Sequence, residues 1–600
     1  MGFFKTFLAA LLAVLAVLVA LVLFVIIGIG MIAGAAGSSQ QKTVISSNSI
    51  LHLNFSEMIV ENYPSKDDMP FDFGEISPFA SNVSKVGLYQ MVKAIEKAKS
   101  DDKIRGMYIS PGLTGVQTGW ATLQTIRGAI EDFKSSGKFV YAYAEMYDEK
   151  AYYLASAADG VYAPSSGMME FNGFAATPMY YKGMMEKLEL EPVVFKVGTH
   201  KSAVEPYLRK DMSENNREQL SELLGTFWDE YATTIAEARG KTRAEIDALA
   251  TNLVFPYGDQ AQAAGLLDEN KHEADVHALL REKLEIGEKA KIKFTKLKKY
   301  ISTLGADGDY SSDRIAVVFA EGDIVSGKSQ DGQMGSETIV KALRKAREDS
   351  KVKAVVLRVN SRGGSALASD MMADEVKRTS AVKPVIVSMG DYAASGGYYI
   401  AAYGDKIFAQ TNTLTGSIGI FGLSAYVGDM MEDKLGITFD QMETHENATF
   451  ADPRFRMSEA EVVFRQRMIE KGYSTFVNVV ADGRETLADS AAVDKVGQGR
   501  VWTGEKAKSL GLVDEIGGLD AAIAAAAEAA NLTDYRTKLL PTIKTPFEKI
   551  MEDLSGATQL SAENIEIPVI GNEVRELARV QRMLKGNGVL AFLPYELDIK

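Results

Sequence analysis

Short apolar runs that follow a charged residue alternate along this chain with longer helical patterns. Lys103–Ser110 (KIRGMYIS) and Lys138–Tyr143 (KFVYAY) each read as a charged approach and then a buried strand. Lys351–Arg358 (KVKAVVLR) and Lys383–Ser388 (KPVIVS) read the same way. Helical patterns follow at Ala151–Asp159, Gly397–Asp405 and the alanine-rich Ala521–Ala530. Near-continuous apolar strands that alternate with helices predict parallel sheets covered by helices, an α/β fold.

These segments also match one another. Thr199-His200 returns as Thr444-His445, and Ala264–Glu269 (AGLLDE) returns as Leu510–Glu515 (LGLVDE). The separation stays near about 245 residues throughout, which predicts a tandem duplication of one α/β unit. The repeats are expected over 45–300 and 313–540, with a separate tail over 541–600. The joint lies in the basic run Lys289–Lys299 and the turn-rich Gly305–Asp313. Ser56–Pro78 mixes Pro, Asp and aromatics and is expected to be a surface loop.

Ahead of the first repeat, no charged residue lies between Lys5 and Lys42, and Phe7–Ala36 is apolar apart from glycines. A stretch of that length spans a bilayer. Residues 6–36 are therefore expected to form a transmembrane anchor, with 1–5 as its cytoplasmic end and the bulk of the chain extracytoplasmic. A cleaved signal peptide is the rival, since Ala33-Gly34-Ala35-Ala36 is small enough for a cleavage site.

Composition narrows the chemistry. The 600 residues carry a net charge of −14, which speaks against a nucleic-acid partner. The absence of cysteine removes disulfides, thiolate metal sites and cysteine nucleophiles, and only five histidines remain. His272 and His277 are spaced five apart, about 140° around a helix, so one metal cannot sit between them. No Gly-x-Ser-x-Gly elbow and no Walker loop is present, and neither metal nor cofactor is expected.

Candidate chemistry comes from what the two repeats no longer share. After the Val385 strand, Gly390–Tyr399 (GDYAASGGYY) puts Ser395 among small residues at a helix N-terminus, where negative charge is favoured. The first repeat holds Tyr147-Asp148-Glu149-Lys150-Ala151 there, without hydroxyl or glycine pair. Ser395 is either a nucleophile or a helix cap. Thr199–Pro206 (THKSAVEP) aligns with Thr444–Pro453 so that Lys201 faces Glu446. One repeat keeps a serine and the other a lysine, as a split Ser–Lys pair would require. Lysine acts as a base if burial lowers its pKa, and an ordinary surface lysine is the other reading. Gly363 and Gly364 follow the Val355 strand, and with the amide of Gly396 they could form an oxyanion hole or a plain turn. Ser417, in Thr415–Gly419 (TGSIG), is also specific to the second repeat and either orients the lysine or caps its own turn. His200 and His445 occur in both repeats, which favours a structural role for them over catalysis.

Gly-Asp-x-Ala-Ala-Ser-Gly-Gly-Tyr-Tyr, Thr-Gly-Ser-Ile-Gly-Ile-Phe-Gly and His-Lys-Ser-Ala-Val-Glu-Pro resemble the long form of the bacterial signal peptide peptidase A family, serine peptidase family S49. The likeness runs from the apolar N-terminus through both repeats to the Leu593–Leu597 tail. It implies a ClpP/crotonase-like fold, with Ser395 as nucleophile, Lys201 as general base and Ser417 orienting the lysine. It also implies a homotetramer anchored by one span in the inner membrane, its bulk periplasmic, that degrades apolar peptides, the signal peptides left in the membrane after secretion. Arg362 departs from the pattern, since the family usually has proline there. A crotonase-type acyl-coenzyme A enzyme and a silent membrane scaffold are the rival functions.

Overall fold

The computed structural model describes residues 43–63, 85–112, 115–252, 257–304, 311–330, 332–543 and 590–592. The expected anchor (6–36), its cytoplasmic end (1–5), most of the Ser56–Pro78 loop and the Leu593–Leu597 motif lie outside the described residues. Among the described residues, no helix is long and apolar enough to cross a membrane.

Two sheets carry the two repeats, the first parallel and the second parallel but for the pair Leu414–Gly416 and Val501–Thr503. The first runs Glu269–Asn270, Gly160–Ala163, Phe139–Tyr143, Ile104–Ser110, Ser49–Asn54 and Lys293–Lys296. The second contains the counterparts of all six in the same order: Glu515–Ile516, Lys406–Ala409, Val385–Ala394, Val352–Ser361, Arg314–Glu321 and Arg536–Leu540. Helices such as Leu88–Ser100 and Trp120–Lys134, or Ser336–Glu348 and Ala366–Ser380, cover these strands, whose apolar residues are buried. Side-chain bonds repeat too. The Tyr152 hydroxyl donates to the Leu266 carbonyl at 2.6 Å, and Tyr398 donates to Leu512 at 2.9 Å.

The repeats share core and polar bonds. Ala394, Leu414 and Val501 of the second repeat lie in the hydrophobic core of the first. Asp391 accepts from the Thr122 amide (2.8 Å) and hydroxyl (2.7 Å) at the start of the first repeat's Trp120–Lys134 helix. Arg358, 1% exposed, donates to both carboxylate oxygens of Glu61 at 2.9 and 3.1 Å. A buried guanidinium requires such a partner.

A third sheet joins the repeats at one end. Its order is Gln333–Gly335, Asp323–Val325, Gly363–Ser365, Leu590–Phe592, Ile420–Tyr426 and Glu191–Val197. Glu191–Val197 comes from the first repeat and pairs antiparallel with Ile420–Tyr426 over seven residues. The repeats are therefore not self-contained.

The structure adds detail at three places. The basic run becomes an edge strand, Lys293–Lys296, in parallel register with Ser49–His52, because an edge leaves lysines free to reach water. The Val385 strand continues to Ala394, so the expected turn shrinks to Ser395 alone. Of the expected tail, the described segment Leu590–Phe592 pairs antiparallel with Gly363–Ser365 in the third sheet, where backbone pairing satisfies an otherwise open edge.

Candidate active site

Ser395 is the single residue between the strand Val385–Ala394 and the helix Gly396–Ala401. Its φ and ψ of 55° and −117° are costly for a residue with a Cβ. The bond from its amide to the Gly416 carbonyl, 2.8 Å, holds that conformation. Its hydroxyl makes no capping bond to the helix it precedes, so the cap reading fails here. Instead the Lys201 amine donates to Ser395 Oγ at 2.9 Å.

Lys201 reaches this position through the third sheet. The strand Glu191–Val197 ends beside Ile420, and Gly198 turns the chain inward at φ 112°. Lys201 is fully buried, which excludes the surface-lysine reading. Burial pushes its amine well below the ordinary lysine value, with no charged neighbour contributing. Its Nζ also donates to Ser417 Oγ at 3.0 Å and to the Ser417 carbonyl at 3.1 Å. Ser417 is itself strained, at φ 50°, and is tied by its amide to the Arg500 carbonyl at 2.7 Å. Ser395, Lys201 and Ser417 thus meet at one nitrogen. Once the amine is neutral, its two N–H groups serve Ser417 and its lone pair faces the Ser395 hydroxyl, so the 2.9 Å bond then reverses and the serine donates.

The predicted glycines stand alongside. Gly363 adopts φ 100°, and a Cβ there would strike the Ala591 carbonyl and come within 2.7 Å of the Gly396 amide. Its own amide donates to Ser361 Oγ at 3.1 Å. Gly364 is in register with Ile324 on one side and Ala591 on the other. The amide of Gly396 is the first of its helix, which the helix leaves without an acceptor. Arg362 packs its guanidinium over the Tyr392 ring, 5.2 Å from the centroid.

The histidines lie apart from this cluster. The His200 ring bonds Thr199 Oγ1 at 3.0 Å, and His445 bonds Thr444 Oγ1 at 3.1 Å, the same local contact in both repeats. His272 caps the helix Glu273–Lys283, whereas His277 lies within it.

A buried serine hydroxyl at a strained bend, facing a buried amine beside the first amide of a helix, is an arrangement in which an amine can serve a serine nucleophile as base. Comparison with known proteins gives that arrangement a family. The model of peptidase family S49 matches residues 132–287 and 377–533, once in each repeat. Protease 4 of Salmonella typhi is 35% identical over 544 residues, covering 89% of this chain and 86% of that protein. Protease 4 of Haemophilus influenzae is 36% identical, covering 82% and 81%. The chloroplastic serine protease SPPA of Arabidopsis thaliana is 33% identical, covering 79% and 70%. A ClpP1 mutant structure from Listeria monocytogenes, 17% identical, covers 34% of this chain and 94% of its own with a TM-score of 0.23, too low to bear on the fold. The chain belongs to peptidase family S49 and is a serine peptidase.

Sequence reasoning passed over the residues that hold the repeats together. Glu61 and Arg358 are 297 positions apart, and nothing local in either marks the other. Asp391 lies inside the serine motif, but its partner Thr122 is in the other repeat. The Gly497–Arg500 turn, whose Gly-x-Gly spacing was a readable signal, packs directly on Lys201.

Proposed function

We propose that this peptidase uses Ser395 as nucleophile and Lys201 as general base, and that it is a membrane-anchored endopeptidase acting on apolar peptides such as residual signal peptides. The observation that carries the reading is the 2.9 Å approach of a fully buried lysine nitrogen to the hydroxyl of a strained serine. Neutral Lys201 takes the Ser395 proton as Oγ attacks the peptide carbonyl. Ser417 holds the amine in place through its hydroxyl and carbonyl. The amides of Gly396 and Gly364 receive the oxyanion, since that of Gly363 is already donated to Ser361. The lysine ammonium then protonates the leaving amine, and water, deprotonated by the same lysine, hydrolyses the acyl-enzyme.

The substrate enters as an extended strand. Support comes from the place held by Leu590–Phe592, between Gly363–Ser365 and Ile420–Tyr426, with the Ala591 carbonyl beside Gly363 and Gly396. A peptide taking that place gains main-chain hydrogen bonds independent of its side chains. The anchor rests on the apolar run Phe7–Ala36. The ClpP/crotonase-like fold and the homotetramer are the expectation for this family. An acyl-coenzyme A enzyme would have no use for a buried lysine at the serine. Labelling by a fluorophosphonate probe separates the readings: label on Ser395 that disappears in Lys201→Ala supports the pair. Label that persists undiminished in that variant removes Lys201 from the mechanism.

A further inference from the structure

The lysine and its serines come from different repeats, so something must set their separation. The turn Gln498–Arg500 touches both sides. From the first repeat, the His200 amide donates to the Gln498 carbonyl at 2.9 Å, and the Thr199 amide to Gln498 Oε1 at 3.3 Å. From the second, the Ser417 amide donates to the Arg500 carbonyl at 2.7 Å, and the Gly499 amide donates to the Ile418 carbonyl at 2.8 Å. The two residues preceding Lys201, and Ser417 with its neighbour Ile418, are thus bonded to three consecutive residues.

Packing is equally close. A Cβ on Gly499, at φ 78°, would lie 2.7 Å from Lys201 N and Cβ and 2.8 Å from its Cα. A Cβ on Gly419 would lie 2.8 Å from Gly499 Cα and 3.1 Å from Lys201 Cδ. The lysine stem therefore runs past two bare glycine backbones, with no room for one methyl group.

The turn is anchored at both ends. Gln498 takes its own left-handed conformation, φ 53°, and donates through Nε2 to Asp494 Oδ1 at 2.5 Å, while its amide donates to the Tyr473 hydroxyl at 3.2 Å. Arg500 donates to Glu218 at 3.1 Å and Glu222 at 2.7 Å on the first repeat's helix Glu214–Arg239, and it stacks 4.5 Å over the Trp502 ring. Gln219 of that helix accepts from the Val501 amide at 2.8 Å. The charged groups around the lysine, namely Asp494, Glu218, Glu222, Arg500 and the imidazole of His200, are turned to these bonds and to Thr199, and none bonds Lys201 Nζ.

We propose that Gln498-Gly499-Arg500 is a positioning element for the peptidase reaction, fixing the lysine of one repeat at hydrogen-bond distance from the serines of the other. The inference rests on the Ser395–Lys201 reading above. These residues touch no substrate; they act through Lys201 and Ser417. A displacement of the base by about 1 Å costs on the order of 100-fold in rate, and Gly499→Ala forces a shift of that kind. Arg500→Ala removes a partly exposed tie that contributes little to stability, so it leaves the fold intact.

The test measures kcat, KM and the pH profile of the full-length enzyme on an apolar peptide, with a melting curve for each variant. Gly499→Ala is expected to lower kcat about 100-fold and Arg500→Ala about 10-fold, with KM changed less than about twofold. In both, the limb on which activity rises with pH should move to higher pH, because a loosened slot lets water reach the amine and returns its pKa towards that of free lysine. Arg500→Lys should recover part of the loss. A purely structural role would lower the melting temperature without moving the limb. Should Gly499→Ala fail to fold, Arg500→Ala alone decides. Folded variants with unchanged kcat and an unchanged limb, alongside an inactive Lys201→Ala, overturn the positioning role and leave the dyad standing. An active Lys201→Ala overturns both.

Discussion

The two repeats place different chemistry at one position of the same fold. In the second, Ser395 precedes the short helix Gly396–Ala401, and a buried lysine faces it. In the first, Glu149 stands in the corresponding place, 2% exposed, at the start of the helix Glu149–Ala155. Its Oε1 accepts from the Asn172 amide at 3.0 Å, and burial pushes its carboxyl up to about 7. The sequence partners Lys201 and Glu446 differ as sharply, since Lys201 is fully buried and Glu446 is exposed in a turn. The fold starts a helix at this point twice, and only at Ser395 is the approach strained. What makes that start a candidate active site is the strand Glu191–Val197, which crosses from the first repeat into the third sheet and brings the lysine with it.

That contrast is broken most severely by removing the serine. Ser395→Ala should lower peptide hydrolysis by about 10⁴-fold or more with little change in melting temperature. Hydrolysis surviving at more than a few per cent would refute the assignment. Lys201→Arg should be nearly as inactive as Lys201→Ala, because guanidinium stays protonated, whereas His200→Ala should lose far less. The reverse order would put a histidine in the lysine's role.

Breaking the joint between repeats acts on stability. Glu61→Gln or Arg358→Met leaves a buried charge uncompensated and should cost about 3–5 kcal/mol by chemical denaturation. Loss of less than about 1 kcal/mol in both would mean that water already solvates the pair.

Two titrations sharpen the comparison. The folded protein holds Lys201 with a depressed pKa, so between that value and the ordinary lysine range the unfolded chain binds the extra proton. Stability should rise with pH across this window, and Lys201→Met should remove that contribution and stabilise the fold at neutral pH. Activity should rise over the low end of the same window, as the amine loses its proton. Glu149 has the opposite sign. Its folded carboxyl keeps the proton up to about 7, so its contribution to stability falls as pH rises from the ordinary glutamate value to there. Glu149→Gln should abolish that fall and leave kcat/KM within about threefold of the parent. A large loss of activity would mean that the first repeat takes part in the chemistry.

The sequence by itself determined the duplication, the parallel α/β sheets and the residues that set the repeats apart. Those properties are local or periodic: the strands at Ile104, Phe139 and Val352 show in their apolar runs, and the odd residues Ser395, Ser417 and Lys201 show by comparing repeats. Tertiary structure alone decided where the side chains of Ser395 and Lys201 lie. Whether Ser395 caps a helix depends on where its hydroxyl points, and whether Lys201 is solvated depends on a strand pairing made across the repeats. The insertion of Leu590–Phe592 beside Gly363 and the closure of Gln498–Arg500 over the lysine had the same source. These are contacts between residues far apart along the chain: the Gly-x-Gly spacing marks a turn at Gly497–Gly499 but not what it packs on, because each partner satisfies its own local rules equally well without the other.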